Sequence, residues 1–456
     1  MKRFVLLLLA VSSLLAAHAA IASTRPQYGG TLRVMMHISP NSLDPLDDSQ
    51  GDSVARNNLT ELLFDTLVIT DAQGRIHPAL AASWQGDSGN QRWIFSLRHD
   101  VKFHDGSLLT ADAVAASLRN ANPNWRILAD ANSVIIERDS PFPALLADLA
   151  RPRNAIAKRD GPSISGTGPF RVKSFAAGRH LTLAANEESW SGRPFLDTIE
   201  IDFGKSGRDQ LIAIQSGRAD LVEVTADQTV HAALNAPQQL LSSAPVELIA
   251  LVYLREPKTG DDRNLRSALA LSIDRTSIRR AILQSSGQAT AALLPNWISG
   301  YAFVFPAVQN LPLARQKISG MRQPPALTLA YDSSDPFIQL VAERITLNAR
   351  DAGLTLQSTS SATPDLRLLR ISLDSADPWI ALDQIASRLA LPEPQLSASS
   401  AASLYQAENA ALQAQRVVPL FYVSATYGLG SQVRDASLTL IGTPRLADVW
   451  IGAPAP

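Results

Sequence analysis

From residue 31 to residue 352 the chain switches repeatedly between a two-residue and a 3.6-residue apolar period, and this switching most narrows its fold. Behind the turn Tyr28-Gly29-Gly30, Leu32 and Val34 alternate with Thr31, Arg33 and Met35, a strand pattern. Val54, Leu59, Leu62, Leu63 and Leu67 recur at helical spacing over residues 52–67. Residues 93–98 are rich in β-formers and run through Val101 and Phe103 into a tight turn at His104-Asp105-Gly106. Thr110 predicts an N-cap, with Asp112 in the first turn where it favours the helix dipole. Residues 181–183, 198–203 and 326–331 read as strands. Residues 209–216, 264–283 and 337–352 read as helices, the first and last stopped by Gly217 and Gly353. After Gly161 a Gly-, Pro- and Ser-rich stretch predicts a crossover between lobes. Strands and helices that alternate throughout predict an α/β fold, and no internal repeat is present.

Composition excludes several classes. With 456 residues the chain has room for about three domains. Its 46% hydrophobic and 18% charged residues exclude a disordered chain. A formal charge of −1 gives no electrostatic case for nucleic-acid binding. Cys is absent, so disulfides, thiolate metal sites, a Cys nucleophile and a lipid-modified N-terminal Cys are all excluded.

The first residues read as an export signal. Lys2 and Arg3 precede an apolar stretch from Phe4 to Leu15, and Ala20-Ile21-Ala22 offers a cleavage site before Ser23. The apolar core is shorter than the roughly 20 residues of a membrane-spanning helix. An exported, soluble protein is expected.

Catalytic chemistry is weakly signalled. Gly86-Asp87-Ser88-Gly89 mimics a serine-protease loop, but it reads as a polar surface turn, because the triad needs a His and an Asp around the Ser and a β-barrel fold rather than α/β alternation. His104 and Asp105 are neighbours on a strand and so point to opposite faces. The six His beyond the signal (His37, His77, His99, His104, His180 and His231) show no metal-binding spacing. Gly166-Thr167-Gly168 lacks a dinucleotide pattern. No enzyme, metal or cofactor is expected.

An ordered series of short blocks resembles the family 5 extracellular solute-binding proteins, the oligopeptide- and dipeptide-binding proteins of ABC transporters. It begins with Gly29-Gly30-Thr31-Leu32-Arg33-Val34, Leu43-Asp44-Pro45 and Leu63-Phe64-Asp65-Thr66-Leu67. It is densest from Phe95 to Gly106. It continues through Gly166-Thr167-Gly168-Pro169-Phe170, Trp190, Ser216-Gly217-Arg218-Ala219-Asp220 and Ile273-Asp274-Arg275, and ends at Val418-Pro419-Leu420 and Asp448-Val449-Trp450.

The resemblance implies a periplasmic-binding-protein-like fold of type II, a two-lobed Venus flytrap with an extra small domain. The boundaries it suggests are a signal peptide at 1–22 and lobe I at 23–44, 162–244 and 421–456. The small domain would occupy 45–161 and lobe II 245–420. It implies a monomeric periplasmic protein, not a lipoprotein, that captures peptides or peptide-like solutes for inner-membrane permease subunits. A non-peptide solute (a metal chelate or a sugar), a sensor without transport, and a secreted hydrolase using Ser88 or a carboxylate pair are the competing functions. Four residues are carried over as ligand contacts. Asp374, in Ile371-Ser372-Leu373-Asp374-Ser375-Ala376-Asp377-Pro378, matches an acid that pairs with a peptide ammonium, with an N-cap or surface role as its alternative. Ile38 and Ser39 match a cleft-lining stretch. Tyr422 follows Val418-Pro419-Leu420 near the second crossover, with core packing as its alternative. The chain is shorter than the family habit between Thr110 and Gly166 and again over residues 379–402.

Overall fold

The computed structural model describes residues 25–47, 54–161, 163–228, 239–321, 324–392, 394 and 400–452. The expected signal segment with its expected Ala22–Ser23 junction, and His231, lie outside the described residues.

One mixed sheet runs through both lobes. Its order is Phe170–Ala176, His180–Ala185, Thr198–Asp202, Thr31–Met35, Leu221–Glu223, Val417–Leu429, Gln239–Tyr253, Leu366–Ser372, Leu327–Ala330 and Leu356–Ser358. The short strand Gln288–Ala289 adds to Val417–Leu429. Thr31–Met35 pairs in parallel with Thr198–Asp202, and its expected alternation holds, with Leu32 and Val34 buried and Thr31 and Arg33 exposed.

Two long strands join the lobes. Gln239–Tyr253 and Val417–Leu429 pair antiparallel from Gln239 opposite Leu429 to Val252 opposite Val417. The lobe I end of this ribbon abuts Leu221–Glu223, and the lobe II end abuts Leu366–Ser372. Register shifts between Ser242 and Glu247 bend the ribbon where it passes from one lobe to the other. In lobe II the strand is covered on both faces. Ile249 and Leu251 join one core with Leu269, Val341 and Ile345, while Leu248 and Ala250 join another with Leu293, Ile371 and Leu382. That is why Val246 to Tyr253 reads as an apolar run broken only by Glu247, rather than as an alternation.

The small domain is an antiparallel sheet, ordered Ala81–Gly86, Arg92–Leu97, Ser133–Glu137 and Arg126–Asp130, with helix Ala111–Ala121 packed on it. Thr110 caps that helix as expected, accepting from the Ala113 amide at 3.2 Å.

Two helices differ from the sequence reading. Residues 264–283 form two helices, Gly260–Ser272 and Arg275–Ala281. Ile273 is extended, and the Asp274 carboxylate accepts from the Ser277 amide at 2.9 Å, capping a new helix where the apolar spacing alone suggested continuity. The helix expected over 52–67 is seen as Val54–Leu63 and stops short of Leu67. The Asp65 carbonyl there accepts from the Ile156 amide at 2.8 Å, a tertiary bond that replaces a helical one.

Candidate functional site

Where lobe I, the small domain and lobe II meet, the chain encloses two adjoining chambers. One, of about 230 Å³, is walled by helix Val54–Leu63, by Ala147 and Ala150, by Asp374–Ala376 and by the C-terminal segment around Leu440 and Arg445. The other, of about 380 Å³, is lined by Asn57, Arg151, Arg153, Asp383, Gln384 and Arg388. Thr60, Pro152 and Asp374 belong to both walls, so Asp374 stands on the partition.

Asp374 is held from two sides. Its backbone amide donates to Gln384 Oε1 at 3.1 Å, and Gln384 Nε2 donates to the Ser372 carbonyl at 2.8 Å, fixing the chain just past strand Leu366–Ser372. Arg151 approaches from the small domain. It leaves helix Leu145–Leu149 in extended conformation and opens the 3₁₀ turn Pro152–Asn154. Its Nε and Nη2 donate to the two Asp374 carboxylate oxygens, each at 3.0 Å, while Nη1 donates to Asp148 Oδ1 at 2.9 Å. Burial by itself would lower the guanidinium pKa, but Asp374 and Asp148 beside it raise it above the ordinary arginine value. Asp374 is therefore already neutralised by a cation of the protein's own.

Ile38, 41% exposed, lines a third and smaller pocket, of about 110 Å³, where the connecting ribbon crosses between the lobes. Glu223, Glu247 and Arg370 share this pocket. Glu223 accepts from the His37 amide at 2.7 Å, and Arg370 donates to Glu247 at 2.6 Å and to Asp335 at 2.7 Å. Ser39 lies beside it, with its hydroxyl 3.4 Å from the Pro40 carbonyl. Tyr422 requires a correction. It is completely buried in a lobe II core, and its hydroxyl donates to the Leu293 carbonyl at 2.5 Å, so it packs the lobe and lines none of these three pockets. The four candidate contacts are not brought together: Asp374 is on the partition, Ile38 and Ser39 are near the ribbon, and Tyr422 is in the core.

The catalytic motifs separate as well. Ser88 is exposed in a hairpin turn that Asp87 closes by accepting from the Gln91 and Arg92 amides. His104 Nε2 is 3.0 Å from the Gly168 carbonyl, whereas Asp105 pairs with Lys158 at 2.6 Å, so the two do not form a hydrogen-bonded dyad. Among the described residues no three His, Asp or Glu side chains converge on a metal position.

The sequence pattern of the bacterial extracellular solute-binding proteins, family 5, matches residues 75–360. The chain belongs to this family. A nickel-binding protein, NikA, of Staphylococcus aureus is 27% identical over 282 residues, 59% of this chain and 55% of that protein. A probable di/tripeptide-binding protein of Pseudomonas aeruginosa is 25% identical over 388 residues, 74% of this chain and 73% of the relative. The match thus spans little more than half the length of the nickel-binding relative. Among solved structures, the periplasmic binding protein DppA of Helicobacter pylori, in complex with the peptide STSA, superposes with a TM-score of 0.82. It is 19% identical, over 94% of this chain and 99% of that one. The two-lobed mixed α/β fold is that of the family.

In this family 5 solute-binding protein several blocks that read as separate motifs meet in space. Asp65 accepts from Trp190 Nε1 and from Thr167 Oγ1, both at 2.8 Å, and burial raises its pKa against these two bonds. Asn186 and His104 both approach the Gly168 carbonyl, at 3.1 and 3.0 Å. Gly166 and Gly168 lie against the Leu63 backbone, and a Cβ at Gly168 would fall 2.5 Å from the Leu63 carbonyl carbon. The G-T-G run is glycine because two chain segments touch there, not because it cradles a phosphate.

Two chamber residues escaped the sequence reading. Arg151 lies 223 positions from Asp374, in a stretch with no period or motif. Glu61 sits in helix Val54–Leu63 and faces the smaller of the two adjoining chambers, where burial pushes its carboxyl up to about 7 against the pull of Arg445. A lone acid on an amphipathic helix carries no sequence signal of that kind.

Proposed function

We propose that this protein is the substrate-binding component of an ABC transporter. It is exported to the periplasm with cleavage after Ala22, carries no lipid anchor and acts as a monomer. It captures a peptide or peptide-like solute in the chambers between the lobes and presents it to permease subunits of the inner membrane. The supporting observation is the placement of these chambers. Their walls come from lobe I, the small domain and lobe II, and the lobes are joined by one two-stranded ribbon with irregular register at its crossing. A solute that touches all the walls binds the closed arrangement better than the open one, and that difference is what closes the lobes. Two relatives support the solute class, di- and tripeptides for the Pseudomonas protein and a bound peptide in the Helicobacter structure, while nickel for the Staphylococcus protein favours the non-peptide alternative. The protein is proposed to perform no chemistry on its ligand.

Native mass spectrometry of protein recovered from the periplasm tests this assignment. A co-purified peptide or amino-acid derivative supports it, and a metal chelate or sugar would move it to a non-peptide solute. Turnover of peptide or ester substrates would overturn it. With an identified solute at a hundredfold excess over its dissociation constant, stability rises by about 2.7 kcal/mol.

A further inference from the structure

Where the connecting ribbon passes between the lobes, side chains take over from the ladder in holding its shape. Strand Gln239–Tyr253 carries one extra residue between Ser242 and Pro245 and another between Pro245 and Glu247, and Pro245 has no N–H to give. Ser242 and Thr426 join hydroxyls at 3.0 Å, and Ser243 Oγ accepts from the Ala425 amide at 3.0 Å. These two bonds link the strands to each other. The crossing is also seated on lobe I. The Gly442 carbonyl accepts from the Tyr427 hydroxyl at 3.2 Å, and a Cβ at Gly442 would fall 2.9 Å from Ala425 Cβ and 3.1 Å from Val246 Cγ2. Trp297 ties the crossing to lobe II. It lies on helix Asn296–Ser299, which is moored through Ile298 on the core of Leu293, Ile371 and Leu382. Its indole Nε1 donates to the Pro245 carbonyl at 2.8 Å. With the crossing packed on lobe I, any swing of lobe II away from lobe I separates this donor from this acceptor. The bond is made in the same arrangement in which Arg151 reaches Asp374 and the chambers are enclosed.

We infer that Trp297 is a positioning residue for lobe closure: its indole N–H, seated on the Pro245 carbonyl, holds lobe II against the crossing and favours the enclosed arrangement over an open one. This inference rests on the solute-capture reading and names the bond that sets how often the empty protein is closed. A hinge populates its two arrangements by their free-energy difference, so one hydrogen bond made in only one of them moves the ratio severalfold. Solute affinity then follows the closed fraction. Trp297 is 36% exposed, so its N–H can be removed without opening the lobe II core.

The chain has no Cys, so spin labels attach only where one is introduced. Arg208 on lobe I and Lys317 on lobe II are exposed, and Arg208→Cys with Lys317→Cys gives an interlobe distance by double electron–electron resonance on the full mature chain without solute. In Trp297→Phe, which keeps an aromatic ring and removes the N–H, the ratio of long to short distances should rise about fivefold over the labelled parent. Trp297→His, which carries a ring N–H, should recover part of the short distance. The urea midpoint of both variants should stay close to that of the parent. An unchanged ratio in Trp297→Phe overturns the inference and leaves solute capture in place. An equal change in Ile298→Val, which thins the packing of the same helix without removing the bond to Pro245, overturns it too, because the ratio then reports a loosened lobe II. A single distance, the same in parent and variants and with or without the solute co-purified from the periplasm, overturns capture by lobe closure as well.

Discussion

Arg151 and Asp374, 223 positions apart in the chain, share two hydrogen bonds of 3.0 Å across the boundary between the small domain and lobe II. The pair ties these parts together beside an apolar contact, since Ile380 of lobe II is buried in the small domain's core. Asp148 completes the triad from the small-domain side. An acid that suggested a ligand contact from its neighbours in sequence is, in the folded protein, half of a latch between domains.

Breaking the latch should open and weaken the molecule. Arg151→Met leaves Asp148 and Asp374 facing each other without a cation, a loss on the order of 3 kcal/mol for a buried pair stripped of one partner. Urea denaturation should show a lower midpoint, and small-angle scattering of the ligand-free variant a larger radius of gyration. Asp374→Asn should do the same more mildly, because Asp148 still neutralises Arg151. An unchanged radius in both variants would show that the pair does not hold the domains.

Glu61 should give the stability a recognisable pH dependence. Its folded carboxyl titrates at about 7, against 4.5 when unperturbed, because burial disfavours the charge. The folded state therefore keeps a proton that the unfolded chain releases, and stability declines as pH rises from about 4.5 to about 7. A rise of that size corresponds to about 3 kcal/mol. Denaturation of wild type and Glu61→Gln at a series of pH values isolates this group from Asp65, Glu223 and Glu408, whose buried carboxyls are also raised. The variant should be the more stable at pH above 7, and the two curves should converge in acid.

Tyr422→Phe separates packing from binding. It removes the hydroxyl that serves the buried Leu293 carbonyl and should cost about 1–2 kcal/mol of stability. Solute affinity should stay within about twofold of wild type once the protein is folded. A large loss of affinity at preserved stability would return Tyr422 to the binding site.

Gly166→Ala should be among the most damaging single-methyl changes. The new Cβ would run into the Leu63 carbonyl oxygen, with the Phe64 ring also too close, and a backbone obstacle cannot rotate away. A loss of about 3 kcal/mol or more is expected, visible as a lowered melting temperature or a fall in soluble yield. Ala at Gly178, where a Cβ meets nothing within 4 Å, provides the comparison: there only the positive φ of 80° is penalised.

Local patterns carried much of the fold. The alternation at Leu32 and Val34, the cap at Thr110 and the stop at Gly217 depend on neighbours a few residues away, and each appears in the structure. The ordered blocks pointed to the family because the contacts they make recur together: Asp65, Gly166-Thr167-Gly168 and Trp190 form one junction. The break at Ile273–Asp274 was less legible, since the apolar spacing passes straight through it and only the Asp274 cap and its bond to Asn348 show where the helix restarts.

The sequence by itself determined the α/β class, most element positions and the family, because periodicity, caps and turn residues act over short separations. Only the tertiary structure decided which charges meet. Whether Asp374 awaits a ligand or is neutralised depends on a guanidinium from another domain, and whether Glu61 is an ordinary helix acid or one whose carboxyl is pushed up depends on the walls that close around it. Charge energies turn on burial and on distances of a few ångströms, and chain separation says nothing about either.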